Sequence, residues 1–270
     1  MAESKSSLST ENLWYQYSDE IVALRGISIE IPQGAFVAVL GQNGSGKTTL
    51  IKHFNGLLRP TSGRVLVGDQ DARQRTIGQL AQSVGYVFQN PDHQIFCDTT
   101  REELAFGPRN LGLSPGAVEQ RTDETLTLFG LTEHADEPPA LLGFGLRRKI
   151  SIAAVYAMRP EILILDEPTA GLDWKSTLDL IRLLQDLHRE GHTILLVTHD
   201  MKVAAAFTEL TLVLRDGQVL LYEETRAVFG QTETLRQTQI EPPQITKLAN
   251  RLRPQGCLLY TSPSPRDQRP

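Results

Sequence analysis

The segment GQNGSGKT, residues 41–48, constrains the fold of this chain more than any other stretch. Two glycines bracket four residues and are followed by Lys47 and Thr48. The continuous apolar run FVAVL stands before the segment, as in a strand buried on both faces, and a helical pattern follows it. This order predicts a phosphate-binding loop, because glycine lets backbone N–H groups wrap a phosphate chain at a helix N-terminus. The predicted binding residues are Gly41, Asn43, Gly44, Ser45, Gly46, Lys47, Thr48 and Thr49.

A second apolar run, ILILDE, ends in two carboxylates. It predicts a buried strand that places Asp166 beside the phosphate-binding loop, where it would hold Mg²⁺ together with the hydroxyl of Thr48. Glu167 would then polarise an attacking water. The alternative interpretation is that both are ordinary acidic residues at a strand end.

Two further polar residues follow predicted strands. Gln89 comes after VGYVF, and His199 follows ILLVT. Since the carboxyl ends of parallel strands meet at one edge of a sheet, we expect both residues to lie near Asp166.

The alternation of strands and helices predicts an α/β fold of the P-loop NTPase type, with a mainly parallel sheet. The N-terminal strands predict an antiparallel β subdomain. A long helical stretch, about residues 90–160, is too long for a simple crossover and predicts an inserted helical subdomain.

Composition limits the functional classes. Of the 270 residues, 40% are hydrophobic, which is enough for a sizeable core. The formal net charge of −5 argues against broad nucleic-acid binding. The sequence contains no apolar run near the about 20 residues of a membrane span, so we expect any membrane role to come through a partner. Cys97 and Cys257 show no metal-site spacing and fit a reducing compartment.

The C-terminal end is interpreted separately. The segment CLLYTSPSPRD, within residues 257–270, is typical of a translated sequencing adaptor and is excluded from the fold. A disordered Pro/Ser tail is the alternative. The predicted ATPase domain therefore covers residues 1–256, with the truncated start of a C-terminal extension at about 230–256.

Together these motifs resemble the nucleotide-binding subunits of ABC transporters, over nearly the whole chain to about Glu224. The resemblance implies an ATPase that binds ATP and Mg²⁺. It makes Glu167, His199 and Gln89 catalytic, with Thr48, Gln89 and Asp166 at the metal. It also makes Gln89 the glutamine of the Q-loop and places Asp173 at the end of the D-loop, AGLD, residues 170–173. Tyr17 matches the aromatic residue that stacks on adenine, while Trp14 and Tyr15 are weaker candidates.

The segments YVFQNPDHQIF and TTREELAFGPRNLGLS are similar to ATPases of energy-coupling-factor (ECF) importers, which take up vitamins or cobalt and nickel ions. EPPQITKLANRL, residues 241–252, is similar to the start of their C-terminal extension. This resemblance implies a second ATPase subunit or domain, a transmembrane coupling protein and a substrate-binding membrane component. It implies no nucleic-acid partner, and a peripheral position on the cytoplasmic face of the cell membrane.

One family motif is altered. The signature LSGGQ, which completes the ATP site of the opposite subunit, falls on residues 142–146 and reads LGFGL. Gly143 replaces its serine, Phe144 a glycine and Leu146 the glutamine, while Gly145 is retained. The change predicts a non-identical ATPase pair with one strong and one weak site. The following charges, Arg147, Arg148 and Lys149, either restore some positive potential or are solvated surface, and we favour the interpretation as solvated surface.

Two other functions stay open. A soluble ABC ATPase acting in translation or on DNA is disfavoured by the acidic charge and by the absence of zinc-binding insertions or long coiled coils in the sequence. A regulatory half that scarcely hydrolyses ATP is disfavoured by the presence of Glu167 and His199.

Overall fold

The strand that leads into the glycine-rich loop lies in the middle of a six-stranded sheet. A computed structural model describes residues 6–238, 240 and 244. The predictions for residues 241–256, apart from residue 244, and for 257–270 therefore lie outside the described residues. The strands are β1 (Ser6–Ser18), β2 (Ile21–Pro32), β3 (Phe36–Gly41), β4 (Ser62–Val67), β5 (Gln70–Asp71), β6 (Val84–Val87), β7 (Ile162–Asp166), β8 (Thr193–Val197), β9 (Leu210–Arg215) and β10 (Gln218–Glu224).

The helices alternate with these strands after β3. They are α1 (Lys47–Phe54), α2 (Ile77–Ala81), α3 (Thr100–Asn110), α4 (Pro115–Leu128), α5 (Phe144–Tyr156), α6 (Trp174–Arg189), α7 (Met201–Phe207), α8 (Thr225–Gly230) and α9 (Thr232–Arg236). None of the helices in this described part combines the length and apolar character that crossing a bilayer requires.

The larger sheet has the strand order β10-β9-β3-β8-β7-β6. All neighbours pair in parallel except β10, which runs antiparallel to β9. A second, antiparallel sheet has the order β2-β1-β4-β5. The predicted α/β fold with a mainly parallel sheet and an antiparallel N-terminal part is confirmed.

Both faces of the central strands are buried. In β7, Ile162 and Ile164 join one hydrophobic cluster, which includes α1 and the antiparallel sheet. Leu163 and Leu165 join a second cluster on the opposite face, with α5 and α6. Because successive side chains of a strand point to opposite faces, a strand covered on both sides must be apolar throughout. This explains the uninterrupted apolar runs in the sequence.

Three helices, α3 to α5, occupy the region between β6 and β7. Thr99 and Ser114 begin the first two by accepting hydrogen bonds from backbone N–H groups, the usual role of such residues at helix starts. The helix α5 begins without a side-chain cap, at Gly143. The altered signature therefore forms the first turn of α5. The assignment of residues 90–160 to a separate subdomain stays a prediction.

Candidate active site

The phosphate-binding loop connects β3 to α1 and needs glycine for space as well as conformation. A Cβ atom on Gly41 would lie 2.4 Å from Oγ of Ser45 and 2.5 Å from the carbonyl of Leu214. Gly46 has a φ of +102°, and a Cβ there would lie 2.9 Å from the carbonyl of Ala23. Any larger residue at either position would force the loop apart.

The loop lines a cleft of about 360 Å³ with residues from four other segments. Tyr17 comes from β1 and Ile21, Val22 and Ala23 come from β2, while Gln89, Asp166 and Glu167 follow or end strands of the large sheet. The loop and α1 contribute Asn43, Gly44, Gly46, Lys47, Thr48 and Thr49. Gly41 and Ser45 are part of the same loop, and Oγ of Ser45 is buried without a hydrogen-bond partner.

Lys47 lies at the floor of the loop. Its ammonium group donates to the carbonyls of Gly41 and Gln42, at 2.8 and 2.9 Å. Burial lowers the pKa of Lys47, and the negative charges of Glu167 and Asp166 oppose this shift. A partly desolvated cation at this position has a strong field for an anionic ligand.

Asp166 ends β7 beside the start of α1. Its Oδ2 accepts hydrogen bonds from Oγ1 of Thr48 at 3.2 Å and from the hydroxyl of Tyr86 at 3.1 Å. Burial raises the pKa of Asp166, and these two hydrogen bonds oppose the shift. A hydroxyl and a carboxylate held together are hard oxygen ligands of the kind Mg²⁺ prefers, so the residues fit this ion.

Glu167 and His199 form the second part of the site. Nδ1 of His199 lies 2.8 Å from Oε2 of Glu167, at ion-pair distance but without hydrogen-bond geometry. The Glu167 side chain is 12% exposed and that of His199 is 74% exposed. Glu167 also has a φ of +49°, an unusual value for a residue other than glycine.

Tyr17 stands at the open end of the cleft. Its ring meets that of Tyr15 edge to face at 4.9 Å, and its hydroxyl lies 3.1 Å from Oγ1 of Thr49. Tyr15 packs in turn on His53 at 4.8 Å. Tyr15 is thus part of the packing behind the site, and Trp14 does not line the cleft. Among the three aromatic candidates, the geometry favours Tyr17.

The signature residues and Asp173 lie elsewhere. Gly143 and Gly145 line a separate cavity of about 330 Å³, between the start of α5 and α6. Asp173 begins α6 by accepting hydrogen bonds from the backbone N–H and the hydroxyl of Ser176, at 2.8 and 3.0 Å. Within one chain, the structure does not bring these residues into the P-loop cleft.

Phe144 and Arg148 differ most from their predicted surroundings. The Phe144 ring packs on the backbone of Gly171, where a Cβ atom would lie 3.1 Å from Cε1. The guanidinium of Arg148 lies 5.4 Å from the centroid of the same ring. The Phe144 side chain is therefore turned toward the segment before α6 of its own chain.

The interpretation of Arg148 as solvated surface is wrong. The residue is 1% exposed, and its guanidinium donates to the backbone carbonyls of Phe88, at 2.9 Å, and Gln89. Burial lowers the pKa of Arg148. Arg147 is partly buried and pairs with Asp92 at 3.2 Å. Three consecutive charged residues show no periodic pattern, so the sequence does not indicate which of them points into the protein.

Sequence reasoning also missed Tyr86. Its place in the strand VGYV identified it only as a strand residue. The pairing of Tyr86 with Ile164, two residues before Asp166, would have indicated the contact, but this register follows only from the folded sheet.

Comparison with known proteins agrees with this geometry. The ABC transporter family model matches residues 24–170, more than half of the chain. The energy-coupling factor transporter ATP-binding protein EcfA of Methanocaldococcus jannaschii is 39% identical over 243 residues, which are 89% of this chain and 87% of that protein. An ABC transporter ATP-binding protein of Caldanaerobacter subterraneus is 43% identical over 91% of this chain, which spans only 43% of the length of that relative.

Solved structures are similar as well. The structure of cbiO1 from Clostridium perfringens, described as part of the ABC transporter complex cbiONQ, has a TM-score of 0.79 and 37% identity, with 91% of this chain and 99% of that chain covered. The dimeric, post-hydrolysis structure of the ATP-binding cassette MJ0796 bound to ADP and Pi has a TM-score of 0.71 and 31% identity, with 81% and 98% covered. The P-loop cleft, the paired carboxylates and these relatives lead to one conclusion: the chain belongs to the ABC transporter family of ATP-binding proteins and is an ATPase.

Proposed function

We propose that this chain is the ATP-hydrolysing subunit that powers an ECF-type membrane importer of vitamins or transition-metal ions, as one half of a non-identical ATPase pair. The observation that carries the proposal is the contrast between two parts of one chain. The P-loop cleft contains Asp166, Glu167 and Gln89, and His199 lies next to Glu167, while the signature cavity lacks the hydroxyl donor of its motif.

ATP binding follows from the cleft. The backbone of the glycine loop and the ammonium group of Lys47 receive the phosphate chain, and Tyr17 stacks on the base. Thr48, Asp166 and Gln89 would hold Mg²⁺, which supplies charge neutralisation for the outer phosphates. D-loop and signature residues, Asp173 and Gly143 to Gly145, contribute to the site of the partner.

Hydrolysis is assigned to Glu167 and His199. The carboxylate of Glu167 lies beside the metal carboxylate and accepts the proton of an attacking water. His199, at 2.8 Å, orients that carboxylate. The presence of both groups favours a hydrolytic subunit over a regulatory half.

The asymmetry is assigned to the signature. Gly143 has no hydroxyl to donate to a phosphate, a contact to a charged group that is typically worth about 1.5 to 3 kcal/mol. The uncapped N-terminus of α5 retains its partial positive charge. The site that this chain completes in its partner is therefore the weak site, and its own P-loop site is the strong one.

The membrane partners follow from the ECF-like segment and the names of the relatives. Phe96 and Phe106 form an edge-to-face pair at 4.7 Å and remain 64% and 43% exposed. They lie 7 and 17 residues after Gln89 along the chain. Exposed aromatic pairs are typical of protein interfaces. This pair is the proposed contact with the transmembrane coupling protein, which would place the chain peripherally on the cytoplasmic face of the membrane.

The experiment uses the chain co-expressed with the proteins encoded by its neighbouring genes, and measures ATP turnover and uptake of labelled cobalt, nickel and thiamine in proteoliposomes. Glu167→Gln should lower turnover at least about 100-fold and abolish uptake. Glu161→Gln, an exposed residue just before the start of the same strand, is the matched control and should leave both unchanged.

The signature is tested by Gly143→Ser/Phe144→Gly/Leu146→Gln. If the strong site is the P-loop site of this chain, the triple variant should change ATP turnover less than about twofold. The variant restores the partner's site, which is not needed for turnover. Equal and fast hydrolysis by the isolated chain as a homodimer would overturn the asymmetric pair. Full ATPase activity without uptake of any substrate would instead favour a soluble ABC ATPase.

A further inference from the structure

The hydroxyl of Tyr86 is the second donor to the carboxylate of Asp166. It donates to Oδ2 at 3.1 Å, and Oγ1 of Thr48 donates to the same oxygen at 3.2 Å. In the described part of the chain, these are the hydrogen bonds that the Asp166 side chain accepts. Oδ2 of Asp166 therefore accepts two hydrogen bonds, one from β6 and one from α1.

The register of the sheet produces this contact. Tyr86 pairs with Ile164 in the parallel ladder between β6 and β7. Ile164 and Asp166 are two residues apart and so lie on the same face of the sheet. From this face, the long Tyr86 side chain reaches the carboxylate at the strand end. The ring of Phe88 meets that of Tyr86 edge to face at 5.0 Å and restricts its position.

The two donors differ in character. Thr48 is exposed in the cleft and belongs to the loop that receives the phosphates. Tyr86 is fixed in the strand β6, and its ring is held against that of Phe88. Because Asp166 is only 4% exposed, few water molecules can replace a lost donor.

We propose that Tyr86 is a positioning residue that fixes the carboxylate of Asp166 in the orientation required to hold the metal of the metal–ATP complex. Partners that orient metal-ligating carboxylates typically change metal affinity by about 10- to 100-fold when they are removed. This inference rests on the role proposed above for Asp166, and not on the importer or on the asymmetric pair.

The test is Tyr86→Phe in the full chain, with Mn²⁺ as the probe and a non-hydrolysable ATP analogue present. Electron paramagnetic resonance counts free Mn²⁺ and gives its dissociation constant. We expect binding of Mn²⁺ to weaken about tenfold or more. Affinity for the nucleotide in EDTA should stay within about twofold of wild type, because Tyr86 does not line the cleft.

Tyr222→Phe is the matched control. Its hydroxyl donates to the carbonyl of Glu30 at 2.9 Å, between the two sheets, and burial raises its pKa to about 12. This variant also loses one partly buried tyrosine hydroxyl and should bind Mn²⁺ as wild type does. A Tyr86→Phe protein with Mn²⁺ affinity within about twofold of wild type would overturn the proposal.

A parallel loss of metal-free nucleotide binding and thermal stability in Tyr86→Phe would also overturn it, since that result indicates a packing role. Failure of the proposed transport function is distinguished from failure of this inference, because the two are measured in different experiments. A protein that transports nothing in proteoliposomes can still show the tenfold difference in Mn²⁺ affinity.

Discussion

The ring of Phe144 packs on Gly171, joining the first turn of α5 to the segment that precedes α6. A residue in place of a signature glycine thus contacts the D-loop of its own chain. The guanidinium of Arg148 lies over the same ring and donates to the carbonyls of Phe88 and Gln89. Signature, D-loop and Q-loop are consequently in physical contact through two side chains.

The first prediction concerns this contact. Gly171→Ala should destabilise the protein more than Gly112→Ala, although both glycines have a φ of +78°. The strain of alanine at positive φ, about 1 to 2 kcal/mol, is common to both. Only at Gly171 would the new methyl group meet an aromatic ring, at 3.1 Å, which adds roughly 1 kcal/mol or more.

Urea unfolding of both variants measures the difference. Combined with Phe144→Ala, the excess effect of Gly171→Ala should disappear, as a double-mutant cycle detects. Equal effects of the two glycine substitutions in the wild-type background would contradict the packing of Phe144 on the D-loop.

The second prediction concerns the buried charge of Asp166. Burial raises the pKa of Asp166. The folded protein therefore binds a proton at this carboxylate more readily than the unfolded chain does. The free energy of unfolding consequently falls as the pH rises from the unfolded pKa through the folded pKa. Without nucleotide, Asp166→Asn should raise the melting temperature at about pH 8 by roughly 2 to 4 °C. The gain should shrink as the pH falls toward the unfolded pKa.

Calorimetry across this pH range gives the result, with Asp173→Asn as the control of opposite sign. Hydrogen bonds from the backbone and side chain of Ser176 lower the pKa of Asp173, which therefore stabilises the fold above the unfolded pKa. Its replacement should give no gain in stability at neutral pH. An Asp166→Asn protein that melts below wild type at pH 8 would be evidence against a costly buried charge.

The third prediction concerns the adenine contact. Tyr17→Ala should weaken ATP binding about two- to tenfold, since an aromatic stack contributes about 0.5 to 1.5 kcal/mol. Trp14→Ala is the control, because the indole of Trp14 donates to Asn12 at 3.1 Å and does not line the cleft. Isothermal titration calorimetry with ATP measures both. A larger loss of ATP affinity in Trp14→Ala than in Tyr17→Ala would assign the adenine contact to Trp14 instead.

The sequence by itself was enough to determine the order of strands and helices and the nature of the main cleft. The loop before α1 can be read directly, because its glycines are required by local geometry, and residues that follow parallel strands necessarily meet at one edge of the sheet. Asp166, Glu167 and Gln89 line the cleft as this rule predicts, and His199 contacts Glu167.

Only the tertiary structure decided which side chains support these groups. Tyr86 reaches Asp166 through the register of two strands that are separated by about a third of the described chain, and no local pattern encodes a register. Arg148 is buried while its neighbour Lys149 is only partly covered, because the direction of each side chain depends on the packing of α5. Local motifs therefore indicate the chemistry of the site, whereas long-range contacts arise from the packing of whole strands and helices.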